Sequence, residues 1–139
     1  MFIKPKKSLG QNFLIDRNVL KQIVDTVDVT NKEVLEIGPG SGNLTTFILN
    51  KKPKKVYAIE KDDELVLSLQ DKFTDEITII NDDVLKLSED KITSEKLTVF
   101  GNLPYNISTE ILSKWITNLD KKIWFENLVL MFQKEVAER

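Results

Sequence analysis

The chain has 139 residues, of which 41% are hydrophobic and 30% charged, as expected for one globular domain. Its net charge of −2 lacks the marked positive excess of most nucleic-acid-binding proteins. Because it contains neither cysteine nor histidine, its composition excludes disulfides, thiolate or histidine zinc sites, cysteine nucleophiles, histidine-dependent triads and cysteine-ligated iron–sulfur clusters.

The N-terminal segment, Met1 to Lys7, is basic but is not followed by the long apolar region of a secretory signal. No apolar stretch of the chain approaches the roughly 20 residues that a membrane helix needs. We therefore expect a cytoplasmic protein with no membrane partner. We also expect a monomer with no bound metal. A second basic run, over residues 51–55, is interpreted as a solvated face.

Short apolar runs alternate with helical patterns along the chain. The predicted strands are Val34–Ile37, Val56–Glu60, Ile77–Ile80, Leu97–Phe100 and Leu128–Phe132. The predicted helices cover residues 17–27, 43–49, 63–73 and 109–119. Apolar stripes on these helices, including Val19, Ile116 and Leu119, are predicted to face the core. Continuously apolar strands are typical of a parallel sheet covered on both faces, so we predict a doubly wound, mostly parallel α/β fold.

A glycine-rich loop follows the first predicted strand, with the sequence Gly38-Pro39-Gly40-Ser41-Gly42. Glycine allows the backbone to come close to a ligand. The spacing differs from the Gly-x-Gly-x-x-Gly dinucleotide motif, and no Gly-Lys-Ser/Thr ending is present, which excludes a P-loop. Glu36, just before the loop, suits a cationic ligand such as S-adenosylmethionine better than a pyrophosphate. The loop predicts a methyltransferase, with another nucleotide-binding domain as the alternative.

Two acidic residues follow the next two predicted strands. Glu60, 22 residues after Gly38, could accept hydrogen bonds from both ribose hydroxyls of a cofactor, and Asp83 could accept one from its adenine amine. Each has a plainer interpretation. Glu60 could be a helix N-terminal carboxylate beside Lys61, and Asp83 could be a turn acid with Asp82. Because the carboxyl ends of parallel strands meet at one edge, these acids and the glycine loop are predicted to line one crevice.

The tetrapeptide Asn102-Leu103-Pro104-Tyr105, here called the amine clamp, follows the fourth predicted strand and should open on the same crevice. An aromatic amine is a poor nucleophile because its lone pair is delocalised into the ring. If the Asn102 side-chain oxygen and the Leu103 carbonyl accept its two N–H groups, the lone pair can point at a methyl group. Tyr105 offers a stacking face for the base. Alignment of the amine with the methyl group supplies most of the rate of such a transfer. The alternative interpretation of the tetrapeptide is an ordinary proline-containing turn.

Four ordered motifs resemble the small-subunit ribosomal RNA adenine dimethyltransferases, the bacterial family whose loss gives kasugamycin resistance. The motifs are Gly10–Leu14, Gly38–Thr45, Asn102–Ser108 and Phe132–Arg139. The resemblance covers essentially the whole chain and implies the Rossmann-like class I methyltransferase fold. It also implies the use of S-adenosylmethionine to dimethylate the 6-amino groups of two adjacent adenines near the 3′ end of 16S ribosomal RNA, during maturation of the small ribosomal subunit.

The resemblance further implies roles for individual residues. The cofactor-binding residues would be Asn12, Leu14, Gly38, Glu60, Asp83 and Asn102. The catalytic residues would be Asn102 and Tyr105. The partner would be small-subunit ribosomal RNA in a 30S precursor, with its phosphates contacted by Lys4, Lys6 and Lys7.

Related families are the alternatives. Large-subunit RNA adenine methyltransferases of the macrolide-resistance type look similar at residues 11–13 and 106–108 but typically differ at Pro39, Ser41 and Leu103. A mitochondrial transcription factor shares the fold, so a non-catalytic RNA-binding scaffold is a second alternative, and a small-molecule or protein amine methyltransferase is a more distant one. Family members are longer than this chain. We therefore expect residues 1–139 to be the S-adenosylmethionine-binding catalytic domain, truncated after its fifth strand and without the C-terminal helical domain.

Overall fold

The structure, a computed structural model, describes residues 16–103, 108–120 and 122–131. Its helices are α1 (Arg17–Val24), α2 (Asn43–Asn50), α3 (Asp63–Phe73) and α4 (Ser108–Thr117). Its strands are β1 (Glu33–Ile37), β2 (Lys55–Ile59), β3 (Thr78–Ile80), β4 (Leu97–Asn102) and β5 (Phe125–Met131). The predicted alternation of strands and helices is confirmed in type and order. The bounds shift by only a few residues.

The strands form one parallel sheet in the order β3-β2-β1-β4-β5. The first three strands add progressively toward one edge, and the chain then returns to place β4 on the other side of β1. Ligands of open α/β sheets bind at the carboxyl ends of the strands where this reversal occurs. The predicted doubly wound α/β fold is therefore confirmed, and β1 lies at its switch point.

Alternate residues of the central strands face opposite sides of the sheet and build two apolar clusters. On the first face, Val34 and Phe100 pack with buried residues of α1, α2 and α3. On the second face, Leu35 and Val99 pack with Trp115 of α4. Helices thus cover both faces of the central strands, as the continuously apolar strand sequences predict.

The apolar stripes of two helices are narrower than predicted. Val19 of α1 is 37% exposed, Leu119 after α4 is 38% exposed, and Ile116 is 63% exposed. These two helices pack against the core through Leu20 and Ile111. The exposed side chains lie outside that buried stripe. None of the helices in the described ranges has the length and apolarity to cross a membrane.

The last strand begins earlier than the sequence indicates. The prediction started it at Leu128, whereas β5 starts at Phe125 and includes the exposed Glu126 and Asn127. Those polar residues interrupt the apolar run on which the prediction was based. They are tolerated because β5 is hydrogen-bonded on only one side within the described sheet. Phe132 lies outside the described residues.

Candidate functional site

The register of the sheet places three predicted site residues side by side at its carboxyl edge. Ile37 of β1 is in register with Ile59 of β2 and with Gly101 of β4. The residues that follow them in sequence are Gly38, Glu60 and Asn102. The space bordered by these three residues is here called the carboxyl-edge crevice.

Gly38 lies between the ends of β2 and β4. Its N–H donates to the carbonyl of Ile59 over 2.9 Å. A Cβ placed on Gly38 would lie 3.8 Å from the backbone carbonyl oxygen of Asn102. The glycine loop and the first residue of the amine clamp are therefore in direct proximity, although they lie far apart in sequence.

The side chains of Asn102 and Glu60 leave the sheet on the same face. Asn102 lies two residues beyond Phe100, and Glu60 lies two residues beyond Ala58, both of which belong to the first apolar cluster. Since side chains alternate along a strand, residues two apart share a face. The structure thus brings Gly38, Glu60 and Asn102 together at one edge and on one face.

The glycine loop has a backbone that side chains disfavour. Gly38, Gly40 and Gly42 have φ values of 64°, 60° and 88°. Gly42 is also the N-cap of α2, and a Cβ there would lie 2.6 Å from a ring carbon of Phe73 on α3. The Cβ position of Gly38 has only the ordinary contact with Asn102. Gly42 is therefore required for packing, whereas Gly38 leaves space beside the crevice.

Glu60 joins the glycine loop to the turn that precedes α3. Its carboxylate accepts the N–H of Asp62 over 2.9 Å and those of Gly40 and Lys61. Burial raises the pKa of Glu60, helped by the charge of Asp62, while the backbone donors oppose that rise. A carboxylate has about four lone-pair positions, so these three contacts leave about one position for a further donor such as a ribose hydroxyl.

Glu36 is more deeply buried, with 2% of its surface exposed. It accepts a hydrogen bond from the hydroxyl of Thr45, in the first turn of α2. Burial raises the pKa of Glu36 to about 7; the Thr45 bond lowers it, and the charge of Glu60 raises it. A nearby cation would favour the ionised form, which fits the predicted cationic ligand. The sequence did not identify Thr45 as the partner, because nothing in its pattern fixes the path of the loop.

The side chain of Asp83 already has partners of its own. Its Oδ1 accepts the N–H of Leu85 over 3.0 Å, and its Oδ2 lies 3.5 Å from Nζ of Lys61. Burial alone would raise the pKa of Asp83, but the Leu85 and Lys61 contacts outweigh it and lower the pKa. These contacts match the turn-acid interpretation, including a bond from the Asp83 N–H to Asp82 over 2.7 Å. The adenine contact stays a prediction.

Three predicted site residues, Asn12, Leu14 and Tyr105, lie outside the described residues. Of the amine clamp, the structure describes Asn102, which is partly exposed, and Leu103, which is 4% exposed and packs in the second apolar cluster. The arrangement places a polar clamp residue beside a loop built for close ligand approach.

The chain matches a known protein family over almost all of its length. The model of the ribosomal RNA adenine dimethylase family matches residues 3–139. The chain belongs to this family. Membership extends over nearly the whole chain, so it includes both the glycine loop and the amine clamp.

Curated relatives of the chain carry a common name. The chain is 71% identical over 139 residues to ribosomal RNA small subunit methyltransferase A of Pelagibacter ubique, covering 100% of this chain and 53% of that protein. It is 44% identical over 141 residues to the protein of that name from a Wolbachia of Drosophila simulans, covering 99% of this chain and 51% of the relative. The chain spans about half the length of the curated relatives it matches.

Solved structures confirm the class I methyltransferase fold. The 23S rRNA methyltransferase ErmE superposes with a TM-score of 0.77 at 28% identity, over 91% of this chain and 50% of that one. A dimethyladenosine transferase from Plasmodium falciparum superposes with a TM-score of 0.76 at 29% identity, over 92% of this chain and 46% of that one. The likeness to a Pyrococcus horikoshii protein, at 20% identity and a TM-score of 0.71, concerns the fold alone.

Proposed function

We propose that the protein dimethylates the 6-amino groups of two adjacent adenines near the 3′ end of 16S ribosomal RNA, with S-adenosylmethionine as methyl donor. The observation that carries the proposal is the carboxyl-edge crevice, where Gly38 lies beside both Asn102 and the end of β2. The small-subunit substrate is supported by relatives named ribosomal RNA small subunit methyltransferase A. Their identity to this chain favours that substrate over the large-subunit one.

The residues around the crevice have chemistry that suits this cofactor. The positive φ of Gly38 and the lack of a side chain there allow a ligand to approach the backbone. Glu60 would accept a hydrogen bond from the ribose hydroxyls, and Asp83 would accept one from the adenine amine. Asn12 and Leu14 would complete the site from the N-terminal segment. When bound, S-adenosylmethionine supplies a methyl group already activated by its sulfonium.

The chain's own part in the reaction is alignment. The side-chain oxygen of Asn102 and the carbonyl of Leu103 would accept the two N–H groups of the target amine, and Tyr105 would stack on the base. This holds the amine lone pair toward the methyl group. The proton can leave to water after transfer. A strong general base is unnecessary, which is consistent with a sequence without histidine.

The proposed setting is the assembly of the small ribosomal subunit in the cytoplasm. In this proposal the protein acts as a monomer on a 30S precursor, and residues 1–139 form its cofactor-binding catalytic domain. Lys4, Lys6 and Lys7 would neutralise RNA phosphates beside the target.

The test is methyl transfer by the full-length protein. The protein is incubated with methyl-labelled S-adenosylmethionine and small subunits from cells that lack this modification, and the RNA is digested to nucleosides. We expect label in N6,N6-dimethyladenosine and none when fully methylated subunits are used. Absence of label in adenine would reject the proposal. Label in large-subunit RNA instead would favour the macrolide-resistance alternative.

A further inference from the structure

One lysine of α4 holds the loop that starts at Asp83. Nζ of Lys114 donates to the carbonyls of Val84 and Leu87, both over 2.5 Å, and pairs with Oε1 of Glu89 over 2.7 Å. An ammonium has three N–H donors, so this arrangement uses all of them. The side chains of Lys114 and Glu89 are only 20% and 5% exposed. We call this contact set the loop anchor.

The neighbouring residue of α4 strengthens the loop anchor. The indole N–H of Trp115 donates to the same Oε1 of Glu89 over 2.9 Å. Trp115 is 2% exposed, and its ring packs edge-on against Trp124 at 5.5 Å between centroids. Glu89 therefore accepts from two consecutive residues of a helix whose position is fixed by the core.

The loop needs these donors because it has no regular structure of its own. Residues 84–88 belong to no helix or strand. The carbonyls of Val84 and Leu87 would otherwise need water or another partner. The same short segment sets the position of Asp83, whose carboxylate accepts the N–H of Leu85 and whose carbonyl accepts that of Leu87 over 3.1 Å. Lys114 therefore acts on the segment that orients Asp83.

The loop anchor also relates two parts of the proposed site. Helix α4 starts at Ser108, shortly after the amine clamp, and carries Lys114 toward its other end. One rigid helix thus follows the clamp and also holds the Asp83 loop.

We propose that Lys114 is a positioning residue that holds the Asp83 turn where its carboxylate meets the adenine end of the cofactor. The inference rests on the proposed function, because it takes S-adenosylmethionine as the cofactor and Asp83 as its adenine contact. Lys114 acts through Val84, Leu87 and Glu89 and through the backbone bonds of residues 83–87. If Lys114 instead stabilised the whole domain, its substitution would weaken every ligand contact alike.

The decisive variant is Lys114→Met in the full-length protein, with Lys91→Met as the matched control. Lys91 is an exposed lysine at the end of the short 3₁₀ helix, Glu89–Lys91, that follows the loop. Calorimetry compares S-adenosylhomocysteine with its inosine analogue, in which an oxygen replaces the 6-amino group. We expect Lys114→Met to weaken S-adenosylhomocysteine by about tenfold and the analogue by less than about twofold, because only the adenine contact is displaced. Lys91→Met should change neither.

Two further results bear on the inference. In an Asp83→Ala background, Lys114→Met should cause no additional loss of affinity, since the contact that it positions is already absent. An equal loss for both ligands in the single variant, or no loss for either, would overturn the inference. Additive losses in the double variant would do the same.

Amide hydrogen exchange of the ligand-free protein gives an independent readout. Lys114→Met should speed exchange at Leu85 and Leu87 by about tenfold or more, with the amides of β1 unchanged. A uniform increase across the sheet would overturn a local role. If Lys114→Met does not fold, Glu89→Gln is the substitute variant, because it keeps an acceptor oxygen but removes the charge. It should reduce the preference for S-adenosylhomocysteine over the inosine analogue, as expected for Lys114→Met. A wild-type protein that binds neither ligand would reject the proposed function, whereas the exchange result would still decide whether Lys114 holds the turn.

Discussion

Glu36, near the end of β1, and Glu60, just after β2, lie close to the same edge of the sheet but have different partners. Glu36 accepts a side-chain hydroxyl from Thr45, whereas Glu60 accepts backbone N–H groups, including that of Gly40. Burial disfavours the ionised form of both carboxyls, and the hydrogen bonds that they accept offset this effect only in part. The pKa of each glutamate is therefore raised. The two carboxylates also repel each other when both are ionised. A cationic ligand in the crevice would relieve this repulsion.

Glu36→Gln tests the burial of that carboxyl through the pH dependence of stability. Its pKa is about 7 in the folded protein against 4.5 for an ordinary glutamate, so between these values the unfolded chain releases a proton that the folded chain keeps. The free energy of unfolding should therefore fall by about 2–3 kcal/mol more in the wild type than in Glu36→Gln from pH 5 to pH 8. Urea denaturation at both pH values measures it.

The control for this pH experiment is Glu76→Gln, at an exposed position after α3. It should leave the wild-type pH dependence unchanged. If the stability of Glu36→Gln has the same pH dependence as that of the wild type, Glu36 ionises normally in the folded protein. Burial then does not raise its pKa.

Two glycines of the loop should respond differently to alanine. Gly42→Ala adds a Cβ 2.6 Å from a ring carbon of Phe73, at a φ of 88°, and should cost about 2–4 kcal/mol of stability. Gly38→Ala meets only the Asn102 carbonyl at 3.8 Å, so it should cost about 1–2 kcal/mol from backbone strain alone. It should nevertheless weaken cofactor binding by about tenfold or more, because its methyl enters the crevice. Thermal denaturation and calorimetry separate the two effects. A larger stability loss for Gly38→Ala would contradict this division.

At the scale of single elements, the start of α3 fixes the β2 side of the crevice. Asp62 is the N-cap, and its Oδ1 accepts the N–H groups of Glu64 over 2.9 Å and Leu65 over 3.3 Å. Its own N–H donates to Glu60 over 2.9 Å. The helix start and the predicted ribose-binding carboxylate are therefore one hydrogen-bonded unit.

Asp62→Ala should lower the free energy of unfolding by about 1–2 kcal/mol, because two N–H groups of α3 lose their acceptor. Asp62→Asn is the matched variant, since asparagine is an equally good N-cap, and it should remain within about 0.5 kcal/mol of the wild type. Denaturation at neutral pH measures both. Equal losses in the two variants would show that charge rather than capping is the contribution of Asp62.

The elements themselves were predictable wherever local pattern and packing agree. The glycine loop and the run Asn43–Leu49 predicted α2 because the chain has to turn sharply before the helix. The start of β5 was missed because Glu126 and Asn127 are polar, and Ile116 was misplaced because helical spacing alone does not give the width of the contacted face. Those features depend on which neighbours an element meets.

Across the whole molecule, the site arises from topology. The order β3-β2-β1-β4-β5 places β1 between β2 and β4, so segments distant in sequence end at one edge. Parallel pairing was readable from the apolar strands, and hence the meeting of Gly38, Glu60 and Asn102 could be predicted. The Lys114 contacts could not, because a lysine in a helical pattern gives no indication of which loop carbonyls it meets.

The most direct test of the shared crevice is Asn102→Ala in the full-length protein, with Asn127→Ala on the exposed part of β5 as control. Two quantities are compared, the affinity for S-adenosylmethionine and the rate of dimethyladenosine formation in undermethylated small subunits. We predict that Asn102→Ala keeps the affinity within a few fold but lowers the rate by about a hundredfold or more, because the amine loses its alignment. Asn127→Ala should match the wild type in both. A rate for Asn102→Ala equal to that of the wild type would contradict the proposed role of Asn102 in the crevice.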